Sequence, residues 1–329
     1  MNTQHLALGT NGAGAAPVNR DRAPIPVVLA TDIGDDIDDT WALAHALRSP
    51  EIELKMVLTE LGAPRYRGAL AAKILQAVGR TDVEVALGPD TGPSDDEKRN
   101  QFPWMRDYDL KQYPGKIHED GVAAFLDLVK RSDQPVTVVA IGPVPSLAEA
   151  VRRDPQFAAR CRFAGMYGSF DLGYGGERTP AAEWNVRGDV ASLRTVLGAP
   201  WKDIIITPLD TCGLVSLSGE NYRRIWQAAP TDAAVRAVIE NYCVWAPRVP
   251  WMKCDFFVTS STTLFDDVAV YLAYAEEWVA VETVQFAITD DGMTVRDPAG
   301  PYRARVALQW KDRAAFESHL TSRVLGDAR

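Results

Sequence analysis

From residue 24 onward, short apolar runs alternate with segments whose apolar positions recur at helical spacing. The run PIPVVLATD (24–32) reads as a buried strand. The following DTWALAHALR (39–48) reads as a helix stopped by Ser49-Pro50, because the residue before a proline avoids the helical region. The pattern then repeats. Strand-like ELKMVLTEL precedes helix-like PRYRGALAAKILQAVG, VEVALG (83–88) is strand-like, and GVAAFLDLVKR is helix-like. Further on come strand-like PVTVVAIG, a helix from Pro145 to Arg152, strand-like RFAGMYG, a helix over Val190–Leu197 and strand-like DIIITPL. Near-continuous apolar strands are what a sheet covered on both faces requires. The expected fold is therefore α/β: an open, mostly parallel, doubly wound sheet with helices on both faces. Residues 218–275 read mainly as additional helices, and 278–310 as β segments with a hairpin turn at Asp291-Gly292. Residues 1–25 are Gly/Ala/Asn-rich without periodicity and read as a flexible tail, leaving 26–329 as one domain. The stretch Pro89–Lys116 carries no pattern and is long enough to be a lid over a site.

Composition narrows the partners. The 329 residues hold 35 Lys and Arg against 44 Asp and Glu, a net charge of −9, so the basic face that phosphate-backbone binding demands is missing and nucleic acid is not an expected partner. No apolar run approaches the about 18 residues that cross a bilayer, and the first 25 residues lack a basic start followed by an apolar stretch, so a cytoplasmic protein without a membrane partner is expected. The four cysteines show no metal-like or redox spacing and read as reduced and mostly buried. Only four histidines are available for acid–base work near neutral pH: His5, His45, His118 and His319.

The chemistry concentrates where the first strand ends. ATDIGDDIDDTWAL (30–43) packs Asp32, Asp35, Asp36, Asp38 and Asp39 into eight positions, at the carboxyl end of a strand where open α/β sheets place their ligands. Five carboxylates so close repel one another unless water screens them or a cation neutralises several, and oxygen-only ligands favour a hard ion such as Ca²⁺ or Mg²⁺. Acids in a first helical turn that merely complement the helix dipole, or cap it, are the competing explanation. A dinucleotide or phosphate loop is absent, and Ala30 and Gly34 break the paired aspartates of a phosphatase-like strand end.

This segment resembles the N-terminal DTD-G-DD-A-AL signature of the inosine-uridine preferring nucleoside hydrolases. VAIGPVPSLAEAV (139–151), AAEWNVRGDVASL (181–193) and LFDDVAVYLA (264–273) are similar to three further segments of that family in the same order, and GMTVRD to a late strand. The resemblance implies an open α/β sheet, a bound Ca²⁺, hydrolysis of the N-glycosidic bond of a nucleoside or related ribosyl compound to ribose and free base, and a homodimer or homotetramer. It implies calcium ligation by Asp32, Asp39, Asp266 and the main-chain carbonyl of Ile141, with Asp32 also taking a proton from the attacking water. Asp38, Glu183 and Asn185 would hold ribose hydroxyls, Trp184 would lie against the sugar, and Glu177 stands where the family has a ribose-contacting Asn. Carboxylates near the sugar suit an oxocarbenium-like transition state.

Four positions depart from the pattern: Ala30, Ala63, Glu177 and Phe265. Phe265 replaces the histidine that in many members helps the base depart. His118, in KIHEDG, resembles a histidine of the family's mobile loop and is the candidate replacement acid; Trp251 and Trp245 are candidates to clasp the base instead. A degenerate, non-catalytic nucleoside- or sugar-binding protein of the same fold remains open at this point, as does a metal-dependent phosphohydrolase.

Overall fold

The computed structural model describes residues 23–92, 99–249 and 259–327. Ten strands are present among them: β1 (Ile25–Thr31), β2 (Ile52–Thr59), β3 (Glu84–Ala86), β4 (Ile117–His118), β5 (Val136–Ala140), β6 (Cys161–Met166), β7 (Asp203–Thr207), β8 (Val279–Ile288), β9 (Thr294–Arg296) and β10 (Tyr302–Trp310). They form one sheet in the order β4-β3-β2-β1-β5-β6-β7-β10-β8-β9. Every pairing from β4 to β10 is parallel, and β8 and β9 add an antiparallel edge joined by the hairpin at Asp291-Gly292.

The helices are α1 (Asp38–Arg48), α2 (Pro64–Ala77), α3 (Phe102–Met105), α4 (Gly121–Arg131), α5 (Pro145–Arg153), α6 (Trp184–Gly188), α7 (Val190–Leu197), α8 (Gly219–Ala228), α9 (Ala233–Trp245), α10 (Asp266–Leu272) and α11 (Arg313–Leu325). Strand β1 shows why its run is continuously apolar. Val27 and Leu29 face a core with α1, α2 and α8–α11, while Val28 and Ala30 face a second core with α4, α5 and α7. Successive side chains of a strand point to opposite faces, so a strand covered on both sides has no polar positions to spare.

The stretch 89–116, expected as an unpatterned lid, is tied down in its second half. Gln101 is buried and its amide donates to Thr40 Oγ1 at 2.8 Å and Asn241 Oδ1 at 3.0 Å, and Lys73 lies over the Trp104 ring. Cys161 and Cys212 are free and buried; Cys243 is free but exposed, and Cys254 lies outside the described residues. No helix among the described residues is long and apolar enough to cross a membrane. Residues 1–22 of the expected tail also lie outside them.

Candidate active site

The strand order reverses between β1 and β5, and crevices form beyond the carboxyl ends of the strands at such a point. Asp32 follows β1 directly and Ile141 follows β5, its N–H donating to the Ala30 carbonyl at 2.9 Å. The N-termini of α1, α6 and α10 bring Asp38 and Asp39, Glu183 to Asn185, and Asp266 to the same place. The resulting cleft, about 580 Å³, is lined by seven carboxylates together with Asn100, Ile141, Met166, Tyr174, Trp184, Asn185, Arg187 and Phe265.

Asp38, Asp39 and Asp266 are 4, 2 and 3% exposed, and neither α1 nor α10 has a side-chain cap at its N-terminus. They are therefore not exposed helix caps. Each offers an oxygen, and these oxygens lie within 4.8 Å of one another. Thr31 Oγ1 donates to Asp39 and itself accepts the Ile33 N–H at 3.0 Å, which orients the group. Burial first, and then repulsion by neighbouring carboxylates, holds all three pKa values well above the usual carboxylate range. Among the described residues no Lys or Arg forms an ion pair with any of them. Arg67 offsets part of the charge on Asp39 from a distance but pairs with none of the three, and three buried carboxylates without a direct ion pair fit a cation, an all-oxygen set a hard one.

The acidic turn is held from behind. Arg67 of α2 is buried, pairs with Asp35 Oδ2 at 2.8 Å, and donates to the carbonyls of Leu61 at 2.5 Å, Ile33 at 3.1 Å and Asp32. Trp245 Nε1 and Asn100 Nδ2 each donate to the Asp35 carbonyl at 2.9 Å. Asp35 and Asp36 are thus half-buried parts of the cleft wall. Gly34, at φ +115°, leaves room for the Tyr66 ring, which a Cβ would meet at 2.5 Å. Burial lifts Asp32 to about 7 against the opposing effect of Arg67, and lifts Asp36 to about 6.

Across the cleft, Glu183 is buried and caps α6. Its Oε1 accepts from Asn185 N at 2.6 Å, and its Oε2 accepts from Gly168 N at 3.1 Å and Val186 N at 3.2 Å. Burial raises it to about 7, and these three backbone donors work in the opposite direction. Asn185 Nδ2 donates to the Met166 carbonyl at 3.1 Å. Trp184 is 40% exposed at the rim, with the Arg187 guanidinium 5.5 Å from its ring centre and its N–H donating to Tyr174 Oη at 2.9 Å. Tyr174 meets Phe265 edge to face at 6.1 Å, completing an aromatic wall.

The structure thus brings together Asp32, Asp38, Asp39, Ile141, Glu183, Trp184, Asn185 and Asp266. His118 is not brought to the cleft. It sits on β4, three strands from β1, with Nε2 2.7 Å from Glu84 Oε2. Glu177 is exposed and outside the lining, where Tyr174 of the same segment stands instead. Trp245 is wholly buried behind the acidic turn rather than facing a ligand, and Trp251 lies outside the described residues. No histidine lines the cleft among the described residues. Asn100, Met166, Tyr174 and Arg187 were not legible as site residues; proximity to AAEWN was the one available signal for Tyr174 and Arg187.

An acid-lined crevice at the switch point of an open parallel sheet defines an α/β enzyme with a cleft for a small polar ligand and a carboxylate group that could hold a metal ion. A family model described as inosine-uridine preferring nucleoside hydrolase matches residues 27–318, and the chain belongs to that family, whose members hydrolyse the N-glycosidic bond of nucleosides. It is 30% identical over 305 residues to the pyrimidine-specific ribonucleoside hydrolase RihA of Enterobacter sp. (strain 638), covering 83% of this chain and 88% of that one. It is 27% identical over 227 residues to the non-specific ribonucleoside hydrolase RihC of Escherichia coli (strain K12), covering 66% and 72%. Among solved structures its fold is similar to a plant nucleoside hydrolase, PpNRh1 (TM-score 0.76, 20% identity, 92% of this chain and 99% of that one). It is also similar to the inosine-uridine preferring nucleoside hydrolase of Bacillus anthracis (TM-score 0.71, 16% identity, 92% and 99%). These relatives do not favour a degenerate binding protein.

Proposed function

We propose that the cleft hydrolyses a ribonucleoside, or a related ribosyl compound, with a calcium ion held by Asp39, Asp266, Asp32 and the Ile141 carbonyl. The observation that carries this reading is the convergence of Asp38, Asp39 and Asp266, from segments more than 200 residues apart, into one buried group. Asp38, expected on the sugar, converges with the metal ligands as well, so it stands where it can serve both the ion and a ribose hydroxyl. When bound, calcium supplies Lewis-acid activation of water. Asp32, directly after β1 in the cleft lining, would hold the attacking water and take its proton as the bond to the base breaks. Glu183 and Asn185 orient the sugar hydroxyls, and the surrounding carboxylates favour the positive charge that builds on the ring as the bond to the base breaks.

The aglycone side is aromatic, with Phe265 and Tyr174 in place of an acid. Cleavage should therefore rise steeply with leaving-group acidity, and p-nitrophenyl riboside should be cut faster than natural nucleosides. The test is a panel of ribonucleosides, 2′-deoxyribonucleosides and p-nitrophenyl riboside, with release of free sugar measured with and without a calcium chelator. Activity should require calcium, ribosides should greatly outperform deoxyribosides, and His118→Ala should leave both natural and activated substrates within about threefold of the parent. Chelator-insensitive cleavage, or no cleavage of any member, would remove this assignment.

A further inference from the structure

The two helices that carry the acidic group are joined by a second contact, deeper in the core, which the reaction does not use. His45 lies on α1, two turns beyond Asp38 and Asp39, and its side chain and that of Asp267 are both 0% exposed. His45 Nδ1 lies 3.1 Å from Asp267 Oδ1, on the residue next to Asp266 at the start of α10. The other ring nitrogen, Nε2, lies 3.0 Å from Tyr274 Oη, just past the end of α10. One imidazole therefore grips α10 near both ends. Tyr274 Oη continues to His319 Nε2 on α11 at 2.9 Å, so the clasp is itself braced.

The residues of α1 one turn before His45 on the same face are Trp41 and Ala42, both buried. An apolar side chain would satisfy such a helix contact without burying polar atoms, so an imidazole with both nitrogens engaged specifies geometry that packing alone leaves loose. The geometry at stake is the sliding position of α10 against α1. Asp38, Asp39 and Asp266 repel one another across that same boundary, and a shift of α10 along its axis would separate Asp266 from its partners. We propose that His45 is a positioning residue that holds α10 in register with α1, preassembling the cation site through Asp267 and Tyr274. This inference rests on the calcium reading of the cleft.

The test measures calcium affinity of the metal-free full chain by calorimetric titration, unfolding midpoints in chelator, and kcat and KM at saturating calcium. His45→Leu should weaken calcium binding about 10-fold, the lower end of the range for removing a direct partner of a metal ligand since His45 acts through the residue beside one, while kcat at saturating calcium changes far less. The double variant His45→Leu/Asp267→Leu removes the buried polar mismatch, so its midpoint should recover toward the parent while its calcium affinity stays low. Tyr274→Phe keeps the packing and should show a smaller loss, and Asp267→Asn, which can still meet the imidazole, should retain affinity. A double variant that folds and binds calcium like the parent would overturn the proposal. Absence of calcium binding by the parent protein would overturn the calcium reading and this inference with it, and that arm alone distinguishes the two failures.

Discussion

At the scale of single residues, the site depends on close approaches as much as on the acids themselves. Gly142 follows Ile141, and a Cβ there would lie 2.4 Å from Asp32 Oδ1, nearer than real contacts allow. The Gly142 carbonyl accepts from Tyr167 Oη at 2.7 Å, so the backbone is not free to retreat. Turning the Asp32 side chain away would relieve Oδ1 and Cγ but not its Cβ, 3.0 Å from the added carbon, so the turn itself would have to shift as well. Gly142→Ala is expected to lower kcat/KM about 10²-fold, the scale of an ångström's misplacement of a reacting group, and to lower the unfolding midpoint as the crowded turn gives way. Steady-state kinetics beside a thermal melt check this, and a variant with parental kcat/KM would show that the Asp32 rotamer is unimportant.

At the scale of elements, the cleft is assembled by helix starts, and α2 buttresses them without entering. Pro64 opens α2 and places Arg67 within its first turn, from where the guanidinium reaches three carbonyls of the neighbouring turns and the Asp35 carboxylate. Removing one member of a buried, paired network leaves its partners without compensation. Arg67→Ala should cost about 3–5 kcal/mol in urea unfolding, and Arg67→Lys, which keeps the charge but not the fork, should fall between. A loss below about 1 kcal/mol for the alanine variant, the value of a surface pair, would show that the turn holds itself. A similar anchoring acts on the far side of the cleft floor, where the buried Glu60 Oε2 accepts from Ser146 N at 2.7 Å in the first turn of α5.

At the scale of the whole molecule, stability, protons and the cation are linked. Glu183 ordinarily titrates near 4.5 and is raised to about 7 in the fold, and Asp38, Asp39 and Asp266 are displaced in the same direction. A raised carboxyl favours the folded state below its unfolded pKa, and that contribution is lost as pH rises through the folded value. For Glu183 alone the loss is about 3 kcal/mol between roughly pH 4.5 and 7. Metal-free protein should therefore melt at falling temperatures over that window. Calcium competes with protons for the cluster and offsets its repulsion, so the rise in midpoint on adding calcium should grow from pH 5 to pH 8. Melting curves at pH 5, 6, 7 and 8, with calcium and with chelator, measure both effects; a calcium-induced rise that does not change with pH would contradict the linkage.

The alternation of apolar runs and amphipathic segments determined the doubly wound sheet by itself, because a strand buried on both faces cannot hide its composition. The clustering of aspartates after β1 was likewise legible, since a strand end is a local feature, whereas the Glu-Trp-Asn and Phe-Asp segments stood out only through their resemblance to the family. Tertiary structure alone decided the rest. The closing helix α11, and the docking of β10 beside β7 with β8 and β9 on the edge, depend on contacts between distant segments. So does the exclusion of His118: its sequence surroundings suit a mobile loop, but pairing with β3 puts it at the far edge of the sheet. Tyr174 reaches the cleft, and Glu177 does not, through the course of a loop that no periodicity describes, while Arg187 enters from the short helix α6. The bond between His45 and Asp267 joins residues 222 apart in sequence, and only the packing of α10 on α1 makes them neighbours.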